Sequence, residues 1–407
     1  MRVLLTTESY LPYLSGVTVS VDALARGIGA LGHDVLVLAP RPADGTAIDP
    51  VGSPGLAPRH AWLGSYQPPR VAPRGYRMPW PNPASAAIRE ARAFRPDIVH
   101  AHSPFVTGQL ARQLARGAHA PLVFTHHTRF GDYVHYLGPL AAPARGMADA
   151  YLRRFWRACA AIVAPSQDLA SEIRSRLPAS RGDLVVVIPT GIDVTAIRGT
   201  APVDPRRAAG WPRDAIVVGA LGRLAPEKSP GLLLDAVAIA TARLPRLRLL
   251  VIGDGASARD LRRRAERPDL AGRVELTGAL PRVEALARVA GSDLFGFTSR
   301  TETQGLVLAE ALAAGLPAIA VDGPGVRDSV RDGIDGIIVA PEPAGTLADR
   351  FADAVVALAG DERRRSVMAE SARADAGRFA LERRVGEMVT LYDRLREGPA
   401  GREPGNA

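Results

Sequence analysis

The sequence predicts an α/β protein built from two doubly wound domains. Three observations lead there. A chain of 407 residues is long for one ordinary domain and suits two. Short apolar runs of strand length alternate with helix-length patterns, the signature of parallel βαβ units. The alternation stops once, over about residues 190–214, and then restarts.

The opening run MRVLLTTESY meets an acid at Glu8, too early for a secretory leader, and reads as a buried first strand, Arg2–Thr7. A helical pattern follows over Val17–Leu31, then a second strand over Asp34–Ala39. Residues 41–83 are rich in Pro and Gly without periodicity, and read as a long irregular insertion. Helices are then expected at 84–94, 105–117, 144–158 and 167–176, separated by strands at 97–101, 121–125, 160–164 and 184–188. After the break, strands are expected at 216–221, 247–252, 273–277, 293–298, 317–321 and 336–339, with helices between. The chain beyond 344 reads as helices only. The predicted domains are 1–190, 191–377 and a C-terminal helix at 378–397 able to pack back on the first domain, with 398–407 as a frayed tail.

Apolar residues make up 47% and charged residues 23%, which excludes disordered and collagen-like chains. The longest stretch free of Asp, Glu, Lys and Arg runs from Ile98 to Ala111, too short for a membrane span. Cys159, the one cysteine, excludes a disulfide within the chain and any Cys-based metal site, and points to a reducing cytoplasm. Of 51 basic residues all but Lys228 are Arg, a bias that reads as codon usage. The excess is uneven: residues 51–200 hold 18 basic and 8 acidic residues, a balance of +10. That implies an anionic partner for the first half: membrane, nucleic acid or a phosphorylated substrate.

The motifs narrow this. Gly27, Gly29 and Gly32 form a GxGxxG string, but it closes a helix instead of opening one after a strand, so it reads as helix termination and close packing. P-loop, HExxH, GxSxG and Asp-x-Asp patterns are absent, the last arguing against a carboxylate-held metal at a sugar nucleotide. In ESYLPYLSG (8–16), Gly16 opens a helix where backbone N–H groups can approach an anion; a plain tight turn reads equally well. In GRLAPEKSP (222–230), Arg223 and Lys228 flank a loop at a strand's C-terminal edge, a place for two cations facing a diphosphate leaving group. In TSRTETQGLVLAEALAAGLPAIA (298–320), Glu302 ends a loop and Thr303–Gly305 open a helix whose N–H groups favour phosphate. Glu310 lies eight residues beyond Glu302. Two buried acids on an apolar helix are costly unless they bind something, and hydroxyls of a sugar and a ribose would serve. His127, in FTHHTRFGDYVHY, follows a strand at the expected cleft edge, with His126 pointing the other way. His100 and His102 share a strand face, without an adjacent acid or Cys to complete a metal site. Aromatic and basic residues interleave in 64–80 and in YLRRFWR (151–157), a pattern that suits lipid headgroups or RNA.

Taken together, these residues resemble the retaining, metal-independent glycosyltransferases of the two-Rossmann GT-B architecture, in family 4 (glycosyl transferases group 1). TESYLPYLSGV, DIVHAHSP, THHT, APS, PTGID, GRLAPEK, VIGDG, TETQGLVLAEALAAGLP and DGIDG follow the family's order over nearly the whole chain. HHTRFGDYVHY and TETQG look most like bacterial diacylglycerol glucosyltransferases and related lipid mannosyltransferases. The resemblance implies two Rossmann-like domains facing a central cleft, the first binding acceptor and the second a nucleotide sugar. It implies that Arg223 and Lys228 neutralise the donor diphosphate, that amides of Thr303, Gln304, Gly305 and Leu306 hold phosphate, and that Gly16 lies under the diphosphate. Glu302 would contact the donor sugar, Glu310 the ribose, and His127 the reacting sugar.

The expected reaction moves a hexose from a nucleotide diphosphate sugar such as UDP-glucose or GDP-mannose to an acceptor hydroxyl, with retention. The expected acceptor is a membrane lipid, diacylglycerol or a glycolipid, reached from the cytoplasm by peripheral attachment to an anionic inner membrane face. No metal and no cofactor is expected, the nucleotide sugar being a substrate, and no nucleic acid as partner. The alternatives are a nucleotide-sugar epimerase of the same fold, a transferase with a soluble acceptor, and a nucleic-acid-binding protein using the basic half.

Overall fold

A computed structural model of the chain describes residues 1–43, 57–68, 75–80, 82, 84–129 and 141–398. It divides into two units: Met1–Gly191 together with Leu381 onward, and Ile192–Ala380.

In the first unit the apolar runs form β1 (Arg2–Thr6), β2 (Asp34–Pro40), β3 (Arg59–Leu63), β4 (Ser65–Tyr66), β5 (Met78–Pro79), β6 (Ile98–Ala101), β7 (Leu122–Thr125), β8 (Ala161–Ala164) and β9 (Val185–Val187). The helices are α1 (Gly16–Ala30), α2 (Ala86–Ala93), α3 (Val106–Ala118), α4 (Ala141–Trp156) and α5 (Gln167–Arg176). Seven strands make one parallel sheet in the order β3-β2-β1-β6-β7-β8-β9; β4 and β5 form a separate antiparallel pair. Strand alternation supplies both faces. Leu4, Leu36, Val99 and Phe124 face a core closed by the helices from α2 to α5. Val3, Leu5, Val35 and Val37 face α1 and the last helix of the chain.

The second unit holds α6 (Val194–Gly199), α7 (Pro205–Ala209), β10 (Ile216–Leu221), α8 (Pro230–Arg243), β11 (Leu247–Ile252), α9 (Ala258–Ala265), β12 (Val274–Gly278), α10 (Arg282–Ala290) and β13 (Leu294–Phe297). It continues with α11 (Leu306–Ala313), β14 (Ala318–Val321), α12 (Val326–Ser329), β15 (Gly336–Val339), α13 (Leu347–Gly360) and α14 (Glu362–Asp375). Its sheet is parallel, in the order β12-β11-β10-β13-β14-β15. Each sheet is covered on both sides, as an all-parallel sheet requires.

The chain then returns to the first unit as α15 (Leu381–Glu397). Its buried stripe, Val385, Met388, Leu391 and Tyr392, has helical spacing and shares a core with Val21, Leu24 and Ile28 of α1. Gly27 fits this contact: a Cβ there would stand 2.5 Å from Cγ2 of Val385. The GxGxxG string is thus a helix end and a packing face.

Two expectations are corrected. The segment 41–83 is not irregular throughout: RHAWL forms the edge strand β3 beside β2, and β4 and β5 pair. Its Pro and Gly content hid the alternation that buries Ala61 and Leu63. The YLRRFWR aromatics are not an outward-facing set, because Phe155 and Trp156 are core residues 1% exposed, while Arg153, Arg154 and Arg157 are exposed. Residues 44–56, 69–74, 81, 83, 130–140 and 399–407, which include Arg70 and Arg74, lie outside the described residues.

Candidate functional site

In a doubly wound sheet, the loops leaving the strand ends diverge where the strand order reverses, and ligands bind there. That point lies between β1 and β6 in the first unit and between β10 and β13 in the second.

In the second unit the two loops are stitched together by side chains. Lys228 Nζ donates to Glu302 Oε1 at 2.7 Å. Thr298 Oγ1 donates to the carbonyls of Lys228 and Ser229 at 3.2 and 3.0 Å, and Thr301 Oγ1 to that of Glu227 at 3.3 Å. Arg223, 48% exposed, donates from Nη2 to Glu227 Oε1 at 2.6 Å. Gly253, φ 144°, brings the loop after β11 against this region; a Cβ there would meet the Gly222 carbonyl oxygen at 1.9 Å. Both cations predicted for a diphosphate therefore stand beside carboxylates at the switch point.

Thr303, Gln304 and Gly305 precede α11 instead of opening it. Leu306 is the first helical residue, and Gly305 caps it in a left-handed conformation (φ 76°) without a side-chain cap. Ser329 Oγ holds the Gln304 carbonyl at 3.1 Å. An eight-residue helix start lacking a side-chain cap has N–H groups to offer an anion.

Glu302 lies in the loop, partly exposed, so only one of the two acids is on a buried helix face. That one is Glu310, 2% exposed. Its Oε1 is paired with Arg282 Nη2 at the start of α10, and its Oε2 is buried with no hydrogen-bond partner among the described residues. Such an oxygen retains acceptor capacity for a hydroxyl. Arg282 escaped the sequence reading, although a cation at a helix N-terminus opposes the helix dipole and so marks a local need.

In the first unit Gly16 is exposed as the first residue of α1, and Ser15 Oγ caps that helix by accepting from Thr18 N at 3.2 Å. The hydroxyls of Ser9, Ser15 and Thr18 lie 3.0–3.1 Å apart. Glu8 also went unrecognised. Its Oε2 accepts from Ser103 Oγ at 2.8 Å and its Oε1 from Thr107 N at 3.1 Å, so it caps α3, whose leading Phe105 has no capping oxygen. Burial raises the Glu8 pKa, and these hydrogen bonds oppose the rise. Residues 9–13, 40–42 and 75–77 line a depression beside this loop.

The histidines meet at the ends of β6 and β7. His100 is held at both nitrogens, Nδ1 2.6 Å from Tyr392 Oη of α15 and Nε2 2.7 Å from Thr125 Oγ1. His102 lies over it, ring centroids 4.2 Å apart, and its Nδ1 is 2.8 Å from Nε2 of His127. His126 faces the other way, against Phe124 and Trp156. Burial pushes His100 and His126 down to about 3, His127 to about 4, and His102 well below its usual value. All four are neutral imidazoles at pH 7. Among the described residues, no three His, Cys, Asp or Glu side chains are grouped to hold a metal ion.

Of the aromatics expected to meet lipid, Tyr66 and Trp80 are exposed, 40% and 60%, and pack edge to face at 5.9 Å. Leu14, Phe105 and Met147 are further exposed apolar residues of this unit. Among the described residues no helix is long and apolar enough to cross a membrane.

Residues 14–196 match Glycosyltransferase Family 4, and residues 204–375 match Glycosyl transferases group 1. An alpha-monoglucosyldiacylglycerol synthase of Acholeplasma laidlawii is 30% identical over 83% of this chain and 84% of its own length. A GDP-mannose-dependent alpha-mannosyltransferase of Mycobacterium tuberculosis is 30% identical over 91% of both. The solved sucrose-phosphate synthase of Thermosynechococcus elongatus shares the fold, with a TM-score of 0.74 and 20% identity over 97% of this chain and 98% of its own.

Proposed function

The chain belongs to glycosyltransferase family 4, its C-terminal half to the group 1 glycosyl transferases, and on that premise we propose a specific reaction for this hexosyltransferase. A hexose leaves a nucleotide diphosphate for a hydroxyl of a membrane lipid, diacylglycerol or a glycolipid, with retention at the anomeric carbon and without a metal.

The observation that carries the reading is the convergence of Arg223, Lys228, Glu302 and the α11 N-terminus at one switch point. Fixed cations and amides aimed at a leaving diphosphate stabilise the charge that develops as the anomeric C–O bond breaks. The acceptor oxygen forms its bond to the same carbon, and its proton passes to the departing diphosphate on that face. Glu302 takes hydroxyls of the donor sugar; its bond to Lys228 couples sugar recognition to diphosphate recognition. Glu310 Oε2 takes the ribose. Gly16 is assigned to the diphosphate, and His127 to the reacting sugar as a neutral group.

The lipid acceptor is supported by the name of the Acholeplasma relative and by this chain's own surface. Residues 51–200 carry the +10 balance, and Tyr66, Trp80, Arg153, Arg154 and Arg157 are exposed within them. Each basic residue beside an anionic bilayer contributes about 1 kcal/mol, and aromatics add interfacial depth.

The protein is to be incubated with UDP-glucose or GDP-mannose, with and without diacylglycerol in neutral or anionic vesicles and with and without EDTA. Expected are lipid-dependent release of nucleotide diphosphate, an α-linked glycolipid, and indifference to EDTA. Sedimentation with anionic vesicles should weaken with salt and in the Arg153→Ser/Arg154→Ser/Arg157→Ser variant. An isomerised nucleotide sugar without transfer would establish the epimerase alternative, and transfer to soluble acceptors alone would remove the lipid.

A further inference from the structure

The contact between His102 and His127 has a direction. Resting on the transferase reading above, we propose that His102 is a positioning residue that holds the proton of His127 on Nδ1, so that the reaction meets His127 as a neutral Nδ1–H donor.

The two rings share one hydrogen bond, His102 Nδ1 to His127 Nε2 at 2.8 Å. Both imidazoles are neutral, and a neutral imidazole has one N–H and one bare nitrogen. If His127 donated, His102 would accept on Nδ1 and carry its own proton on Nε2. That nitrogen is buried and has no hydrogen-bond partner among the described residues. A buried N–H with no acceptor is the costlier orphan; a bare nitrogen facing apolar atoms costs less. The proton of His102 therefore sits on Nδ1 and is donated, Nε2 of His127 accepts, and the proton of His127 is left on Nδ1.

The donor ring is itself held in place. His102 lies against His100 with the rings tilted by 30°, and His100 is tied at both nitrogens, to Tyr392 of α15 and Thr125 of β7. Three separate elements thus fix the plane of His102, and through it the tautomer of its neighbour. The neutral state then has a geometric purpose: a neutral donor can orient a sugar hydroxyl or ring oxygen without placing a positive charge beside an electron-poor anomeric carbon.

The test uses the full chain labelled with 15N-histidine. Long-range proton–nitrogen correlation at pH 7 reads the tautomer of His127, assigned by the signals lost in His127→Asn. It is recorded for the parent, His102→Asn and His102→Leu, beside kcat and donor KM. An Asn amide places an N–H where His102 Nδ1 stands, whereas Leu fills the space and donates nothing. Expected is Nδ1–H for His127 in the parent and in His102→Asn. In His102→Leu nothing donates to Nε2, so the Nδ1–H form should lose its dominance to a mixture of tautomers, with kcat lowered about tenfold, the effect of one lost hydrogen bond, and donor KM little changed. His102→Asn should recover most of that loss. Nε2–H in the parent overturns the proposal, as does Nδ1–H with unaltered kcat in His102→Leu. The spectrum requires no substrate, so a parent without transferase activity would sink the functional reading alone. Should His102→Leu fail to fold, the parent and His102→Asn spectra still decide the direction of the bond.

Discussion

Lys228 stands alone as a lysine in a chain that otherwise uses arginine, and it sits in a close contact between two loops. Its ammonium is a compact charge 2.7 Å from Glu302, on a stem whose backbone carbonyl is held by Thr298. A guanidinium needs more room and a planar partner. Lys228→Ala removes a charge-assisted bond costing about 1.5–3 kcal/mol, so kcat/KM should fall more than about tenfold, and Lys228→Arg should recover only part. Unchanged turnover in Lys228→Ala would remove the proposed role. The two acids separate differently. Glu310→Gln should weaken binding of free nucleoside diphosphate, measured by calorimetry, whereas Glu302→Gln should spare that binding and slow transfer. Because Lys228 and Glu302 touch, their double variant should lose less than the sum of the single losses, the mark of a coupled pair.

At the scale of elements, α15 belongs to the first unit although the second unit intervenes in sequence. Its attachment rests on the close approach at Gly27 and on four buried side chains. Gly27→Val would drive a branched side chain into Val385, and such overpacking costs about 1–3 kcal/mol. The expected result is a lower denaturant midpoint with faster proteolysis after Ala380; unchanged protection of α15 would show that the contact tolerates the added volume. The same helix supplies Tyr392 to His100, so loosening it should also disturb the histidine group.

For the whole molecule, all eight histidines fall within the first 135 residues, and the second unit has none. Burial pushes His100, His126 and His127 down to about 3, 3 and 4 in the folded state, and His102 well below the ordinary value of 6.5. Between those limits the unfolded chain binds more protons than the folded one, so stability is present above pH 6.5 and lost as pH falls toward 4. One histidine kept neutral at pH 5 accounts for about 2 kcal/mol of that loss. Glu8 acts in the opposite sense, its raised pKa letting the folded state take up a proton first. Hydrogen exchange at pH 7 and pH 5 should show β6 and β7 losing protection while β10 and β13 keep theirs. Equal loss in both units would mean that these imidazoles are not held neutral.

The sequence by itself determined the fold class and the break between its two halves, and it pointed to the residues proposed for the second unit's site. Strand patterns, glycine turns and the residues from Arg223 to Glu310 are local signals, because a parallel strand, its following loop and the helix start are contiguous in the chain. Tertiary structure alone decided what each of those groups touches. Arg282 meets Glu310 across a helix boundary, Glu8 caps α3 from the end of β1, and Tyr392 reaches His100 from the far end of the chain. It also decided which aromatics are inside. Phe155 and Trp156 read like an interfacial pair beside their arginines, yet both lie in the core, because burial depends on what packs against a helix face and no local pattern encodes that partner.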